Sequence, residues 1–245
     1  MNASQEMITW RAILQKALKL PSVRVSKHEW FNKVLSPFTS DESVNAAIES
    51  SPLVSGLEPR TLKRIAERTV RAHRRGVTAL SLVTGLPGGI AIVGAVPADL
   101  AQFFWHLLKV SQKLTLLYGW PPLLGTDGSS EEADEQTRLL ITVFMASMFG
   151  SDRADDLLVE LHKTLVSQKG LGAAELLEAA GLAENARDLE QWMGHTVARD
   201  SLTKALARVV PVIGGIFSGT LTYIAFSRMG KHLDDLLFRL TTQTP

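Results

Sequence analysis

The oiliest run of this chain also carries its most regularly spaced polar positions. Between Pro97 and Tyr118, the residues Leu100, Phe103, Phe104, Trp105, Leu107, Leu108, Val110, Leu114, Leu116 and Leu117 leave almost no side of a helix polar. One thin stripe interrupts them. Asp99, Gln102, His106, Lys109 and Lys113 follow each other at steps of three, four, three and four, so they share one helix face. A helix of this kind belongs in the middle of a large core or against lipid. Its polar stripe has to meet a partner, water or a headgroup, because unpaired buried charge is costly.

The flanks give the same period. Ser4 is placed to cap a first helix reaching about Leu18, with Trp10, Ile13, Leu14 and Ala17 on one side. A short helix over Lys27–Val34 follows. Thr39 and Glu42 have capping-box spacing for another through Ile48. Ser51, Pro52, Ser55 and Gly56 read as a linker, so residues 1–55 form a helical N-terminal extension and residues 56–245 the main domain. Pro59 suits the first position of the next helix. On that helix Arg60, Arg64, Arg68, Arg71 and Arg75 make one basic stripe, flanked by Lys63 and Arg74.

From Gly76 to Ala98 no residue is charged, and Pro87, Gly88 and Gly89 divide the run into arms of about ten residues, roughly 15 Å of helix each. That is half a bilayer, so a hairpin is expected rather than a span. A second uncharged segment, Val209–Ser227, holds Pro211 and more glycine. The small-residue spacing of Gly85 with Gly89 and of Gly215 with Gly219, together with Gly88 and Gly214, predicts close helix approach at these six glycines. Between the two oily segments, helices are expected from a Ser129/Glu132 capping box to Gly150, over Asp152–Val166, Ala173–Ala180 and Ala183–Met193, with Gly194 and His195 as an interruption. An amphipathic helix over Lys231–Leu240 follows the second segment. No useful strand alternation occurs. The expected fold is all-α, a single bundle-like domain around Pro97–Tyr118.

Composition narrows the chemistry. The chain of 245 residues has 26 Lys and Arg against 25 Asp and Glu, so a partner attracted by overall charge is not implied. Nucleic acid is not an expected partner, because no aromatic interleaving or helix-turn-helix pattern accompanies the arginines. The absence of cysteine excludes disulfides, thiolate metal sites and cysteine nucleophiles. Met1–Met7 lacks the basic and apolar regions of a secretory signal, which makes the cytoplasm or the inner face of a membrane the expected location.

No phosphate-binding loop or zinc-protease helix is present. Gly215–Gly219 places Ser218 between glycines, but with spacing one residue off a nucleophile elbow. His162 and His195 lack metal-ligand spacing, and His232 with Asp234 and Asp235 reads as a solvated face. Neither metal nor cofactor is expected. Asp99 suits the free amides of a helix start, and His106 suits a hydrogen bond to a carboxylate of another helix.

Thr84–Gly89, Val96–Leu100, Tyr118–Gly119 and Val210–Ile216 together resemble the EcsC family of bacterial proteins, over roughly Pro59–Leu237. The resemblance implies a helical, membrane-associated protein, in some members encoded beside a transporter, and supplies no catalytic residues. The expected function is therefore non-catalytic. The chain would dock on the cytoplasmic leaflet through Arg60, Lys63, Arg64, Arg68, Arg71, Arg74 and Arg75. There it would scaffold or regulate a membrane protein, with self-association a further option. The alternative is a soluble helical hydrolase using Asp99 and His106 in a buried pocket.

Overall fold

The computed structural model describes residues 9–84, 96, 98–125, 134–198 and 218–243. Among the described residues there are ten helices and no strand: α1 (Trp10–Leu18), α2 (Lys27–Leu35), α3 (Asp41–Glu49), α4 (Pro59–Thr84), α5 (Ala98–Leu117), α6 (Glu135–Met148), α7 (Asp152–Ser167), α8 (Ala173–Ala179), α9 (Ala183–Ala198) and α10 (Ser218–Gln243). The fold is all-α.

Short polar residues start these helices. Thr9, Ser26, Ser40, Asp134 and Ser151 each accept a backbone N–H three residues on. The expected cap of the third helix thus moves one residue, from Thr39 to Ser40. Thr9 opens α1 at Trp10, and Ser4, Ser129 and Glu132 lie outside the described residues. At the other end of α5, Gly119 has φ of +80°. This left-handed residue lets the Trp120 amide donate to the Thr115 carbonyl at 2.9 Å, closing the last turn.

One expected interruption does not occur. Gly194 and His195 lie inside α9, because a single glycine costs a helix only about 1 kcal/mol. Likewise α4 continues from the arginine run through Gly76 to Thr84 as one helix, and α10 joins the end of the second oily segment to the amphipathic stretch after it. The break expected at Pro87–Gly89 lies outside the described residues.

α4 packs most extensively on α10 and on α5, and α5 also meets α1, α10 and α6. The helix enclosed on every side is α6, whose residues from Thr137 to Met148 are all buried. Trp10, Phe31 and Val44 of the first three helices belong to the same apolar cluster as Phe104 and Phe144. The Trp10 indole N–H donates to Thr142 Oγ1 at 2.9 Å, which ties α1 to α6.

Close approach falls on two glycines the spacing argument passed over. A Cβ on Gly230 of α10 would stand 2.5 Å from Val70 Cγ1 of α4, and one on Gly76 of α4 would stand 2.8 Å from His106 Cε1 of α5. Gly85, Gly88, Gly89, Gly214 and Gly215 lie outside the described residues, and Gly219 sits in the first turn of α10. Val70 is β-branched and buried, so it has little freedom to retreat. Gly230→Ala is therefore expected to destabilise the protein by about 1–3 kcal/mol, the usual cost of overpacking. A urea-denaturation midpoint equal to that of the wild type would show that α4 and α10 separate freely.

Candidate functional site

Two polar features stand out from this core: the arginine face of α4 and the stripe on α5. Arg60, Arg64, Arg68, Arg71 and Arg75 are all exposed. The guanidinium groups of Arg64 and Arg68 lie 5.8 and 5.7 Å from the ring centre of Phe38, itself partly exposed. Among the described residues no carboxylate is within salt-bridge distance of these five arginines. An ion-pair surface with the acidic start of α6 is not formed by its described members, since Asp134 caps α6 and Glu135 pairs with Arg187 at 3.0 Å.

The two flanking cations point elsewhere. Lys63 Nζ is 2.8 Å from Asp234 and 2.6 Å from Asp235 of α10. Arg74 stacks on Tyr223, 4.1 Å from the ring centre, and donates to Ser227 Oγ at 3.1 Å. Lys63 and Arg74 are thus engaged with α10, and the basic face narrows to five arginines.

On α5, Gln102 is exposed, whereas His106, Lys109 and Lys113 are half-buried. The Asp99 side chain lies outside the described residues. The stripe's partner is His73 of α4, not a carboxylate. Lys113 Nζ is 2.9 Å from His73 Nε2, and His73 Nδ1 is 3.1 Å from His106 Nδ1. An ammonium group only donates, so His73 Nε2 accepts and the ring's proton sits on Nδ1. That proton is given to His106 Nδ1, which leaves the His106 proton on Nε2. One lysine therefore sets both tautomers.

Burial first, then the positive charge of Lys113, pushes His73 down to about 3 and His106 down to about 4. Both rings are neutral at pH 7. Burial, with Lys109 and Lys33 nearby, lowers Lys113 to about 8. Lys109 donates to the carbonyls of Ser22 at 2.6 Å and Arg24 at 3.2 Å. The stripe thus anchors the turn between α1 and α2 on one side and α4 on the other.

Two further networks bear on catalysis. Asp234 is only 2% exposed, not a solvated face. It accepts from Tyr118 Oη at 2.5 Å and from Lys63, joining α4, α5 and α10. Asp155 of α7 accepts from Ser147 Oγ at 2.5 Å and pairs with His232 Nε2 at 2.8 Å. The acid stands between serine and histidine, so the imidazole does not touch the hydroxyl, and the buried Ser147 lacks the serine–histidine contact of an activated pair. Among the described residues no cluster of three metal-ligating side chains occurs.

His73 is the residue that sequence reasoning missed, because no spacing within α4 shows which residue of α5 it meets. Also among the described residues, no helix is long and apolar enough to cross a membrane. No protein-family model, curated protein or solved structure matches this chain.

Proposed function

We propose that this chain is a non-catalytic, EcsC-like bacterial protein that docks on the anionic cytoplasmic leaflet and there holds or regulates a membrane protein. The observation that carries the reading is the face of five exposed arginines with no carboxylate partner among the described residues, on a helix that runs unbroken into an uncharged stretch. Solvated cations on a rigid rod suit a flat anionic surface, where each contributes about 1 kcal/mol. The partly exposed ring of Phe38, held between Arg64 and Arg68, adds an apolar contact at the same face.

Exchanging Arg64, Arg68 and Arg71 together for glutamine tests it. Glutamine keeps helix propensity, and the exposed guanidinium groups support no described ion pair, so circular dichroism and the melting temperature should not change. Co-sedimentation with phosphatidylglycerol vesicles should fall about a hundredfold, on the estimate of about 1 kcal/mol for each lost cation. Added salt should weaken wild-type binding in the same sense. Unaltered sedimentation in the triple variant would overturn the docking reading.

A further inference from the structure

The geometry points to an anion-binding pocket between α2, the turn before it and α5, shaped for a phosphomonoester dianion. The pocket has a volume of about 450 Å³ and opens to solvent. Its wall carries Arg24, Lys33, Lys109 and Lys113 against a single carboxylate, Glu29. The exposed arginine face of α4 is not part of it.

Among the described residues, Lys33, Lys109 and Lys113 around Glu29 leave a positive surplus. No carboxylate lies within salt-bridge distance of Lys33, Lys109 or Lys113 among the described residues. The groups that hold Lys109 and Lys113 are neutral. Lys109 is fixed by two backbone carbonyls and Lys113 by the uncharged ring of His73. Neutral acceptors orient a cation without cancelling its charge, which leaves the field available to a ligand. Ser26, which caps α2, is also in the wall, so the positive end of that helix dipole adds to the field.

Lys113 shows that the arrangement is held against stability. Burial and the neighbouring ammonium groups disfavour its charge, so a methionine of similar length would suit the site better if packing alone mattered. An incoming dianion reverses that balance by pairing with the ammonium. The choice of a phosphomonoester over a carboxylate follows from charge and size. Two negative charges match the surplus better than one. The volume exceeds that of a bare phosphate and lies in the range of small-molecule sites, so an organic group attached to the phosphate has room.

Calorimetric titration of the full chain with inorganic phosphate and with glycerol 3-phosphate, at matched ionic strength, tests the site. Both are expected to bind saturably at one site, and glycerol alone not at all. Lys33→Gln and Lys113→Met should each weaken phosphate binding by about tenfold or more, the loss of one charge-assisted hydrogen bond. Arg64→Gln, outside the pocket, should leave phosphate affinity unchanged. Lys33 is exposed, so Lys33→Gln decides the matter even if Lys113→Met folds poorly. Binding equal in the wild type and Lys33→Gln, or no saturable heat, would overturn the assignment. Vesicles separate the two sources of such a group. A preference for phosphatidic acid over phosphatidylglycerol that disappears in Lys33→Gln makes the ligand a lipid headgroup. Phosphate binding without that preference makes it a free phosphorylated compound.

Discussion

Asp234→Ala is expected to remove about 3–5 kcal/mol of stability, the usual cost of breaking one side of a buried ion pair. The carboxylate is the point where three helices meet. It accepts from Tyr118 at the end of α5 and from Lys63 on α4, and it is carried by α10. Burial pushes the Asp234 carboxyl upward, while the bonds from Lys63 and Tyr118 pull against that. Burial also opposes the charge of Lys63, but Asp234 and Asp235 outweigh it and raise the ammonium above its ordinary value. Alanine would strand the buried tyrosine hydroxyl without its acceptor. Lys63 would keep Asp235, so the loss should exceed that of Asp235→Ala, where the buried acid remains paired. Urea denaturation of both variants checks the order. An Asp234→Ala loss no greater than that of Asp235→Ala would show that the buried carboxylate does not hold the three helices together.

Acid is expected to destabilise the protein well before its carboxylates titrate. Unfolded histidine takes up a proton near pH 6.5, whereas His73 and His106 in the fold refuse one until about 3 and about 4. Below 6.5 the unfolded state therefore binds more protons, and stability falls as the pH falls. Each such histidine contributes up to about 1.4 kcal/mol per pH unit. Discounting for partial exposure, the pair should remove about 2 kcal/mol between pH 6 and pH 5. His162, lowered by burial, acts in the same direction. His232 acts in the opposite one, because its bond to Asp155 raises it. In His73→Gln the slope of unfolding free energy against pH should drop by about one proton over this window. A flat wild-type slope, or one that the variant leaves unchanged, would mean that these rings are charged in the folded protein.

Helix content and the two polar faces were readable in the sequence because both depend on local period. The step pattern of Arg60 to Arg75 gave one basic face, and that of Asp99 to Lys113 gave a stripe that had to meet a partner, water or a headgroup. What lay opposite each face was not readable, because it depends on how helices distant in sequence are turned towards one another. His73 meets His106 across α4 and α5, and Asp234 meets Tyr118 across α10 and α5, with no spacing to announce either. The same limit separates Gly230 and Gly76 from the glycines chosen by motif. A small residue matters where a neighbour's side chain arrives, and only the packing fixes that place. The pocket beside α2 was hidden for a related reason. Its cations come from α2, from the turn before it and from α5, so no single stretch shows the surplus.

The pairing of α4 with α10 also sets a timetable for synthesis. Lys63 and Asp235 are 172 residues apart, so the later helix leaves the ribosome about 10–30 s after the earlier one at ~5–20 residues per second. During that interval Val70 has no Gly230 against it, and α4 has α5 but not α10 to pack on. A nascent chain in this state carries an oily ridge beside a row of arginines. It has to be kept apart from its neighbours on the same message until Gly230 can slide in under Val70.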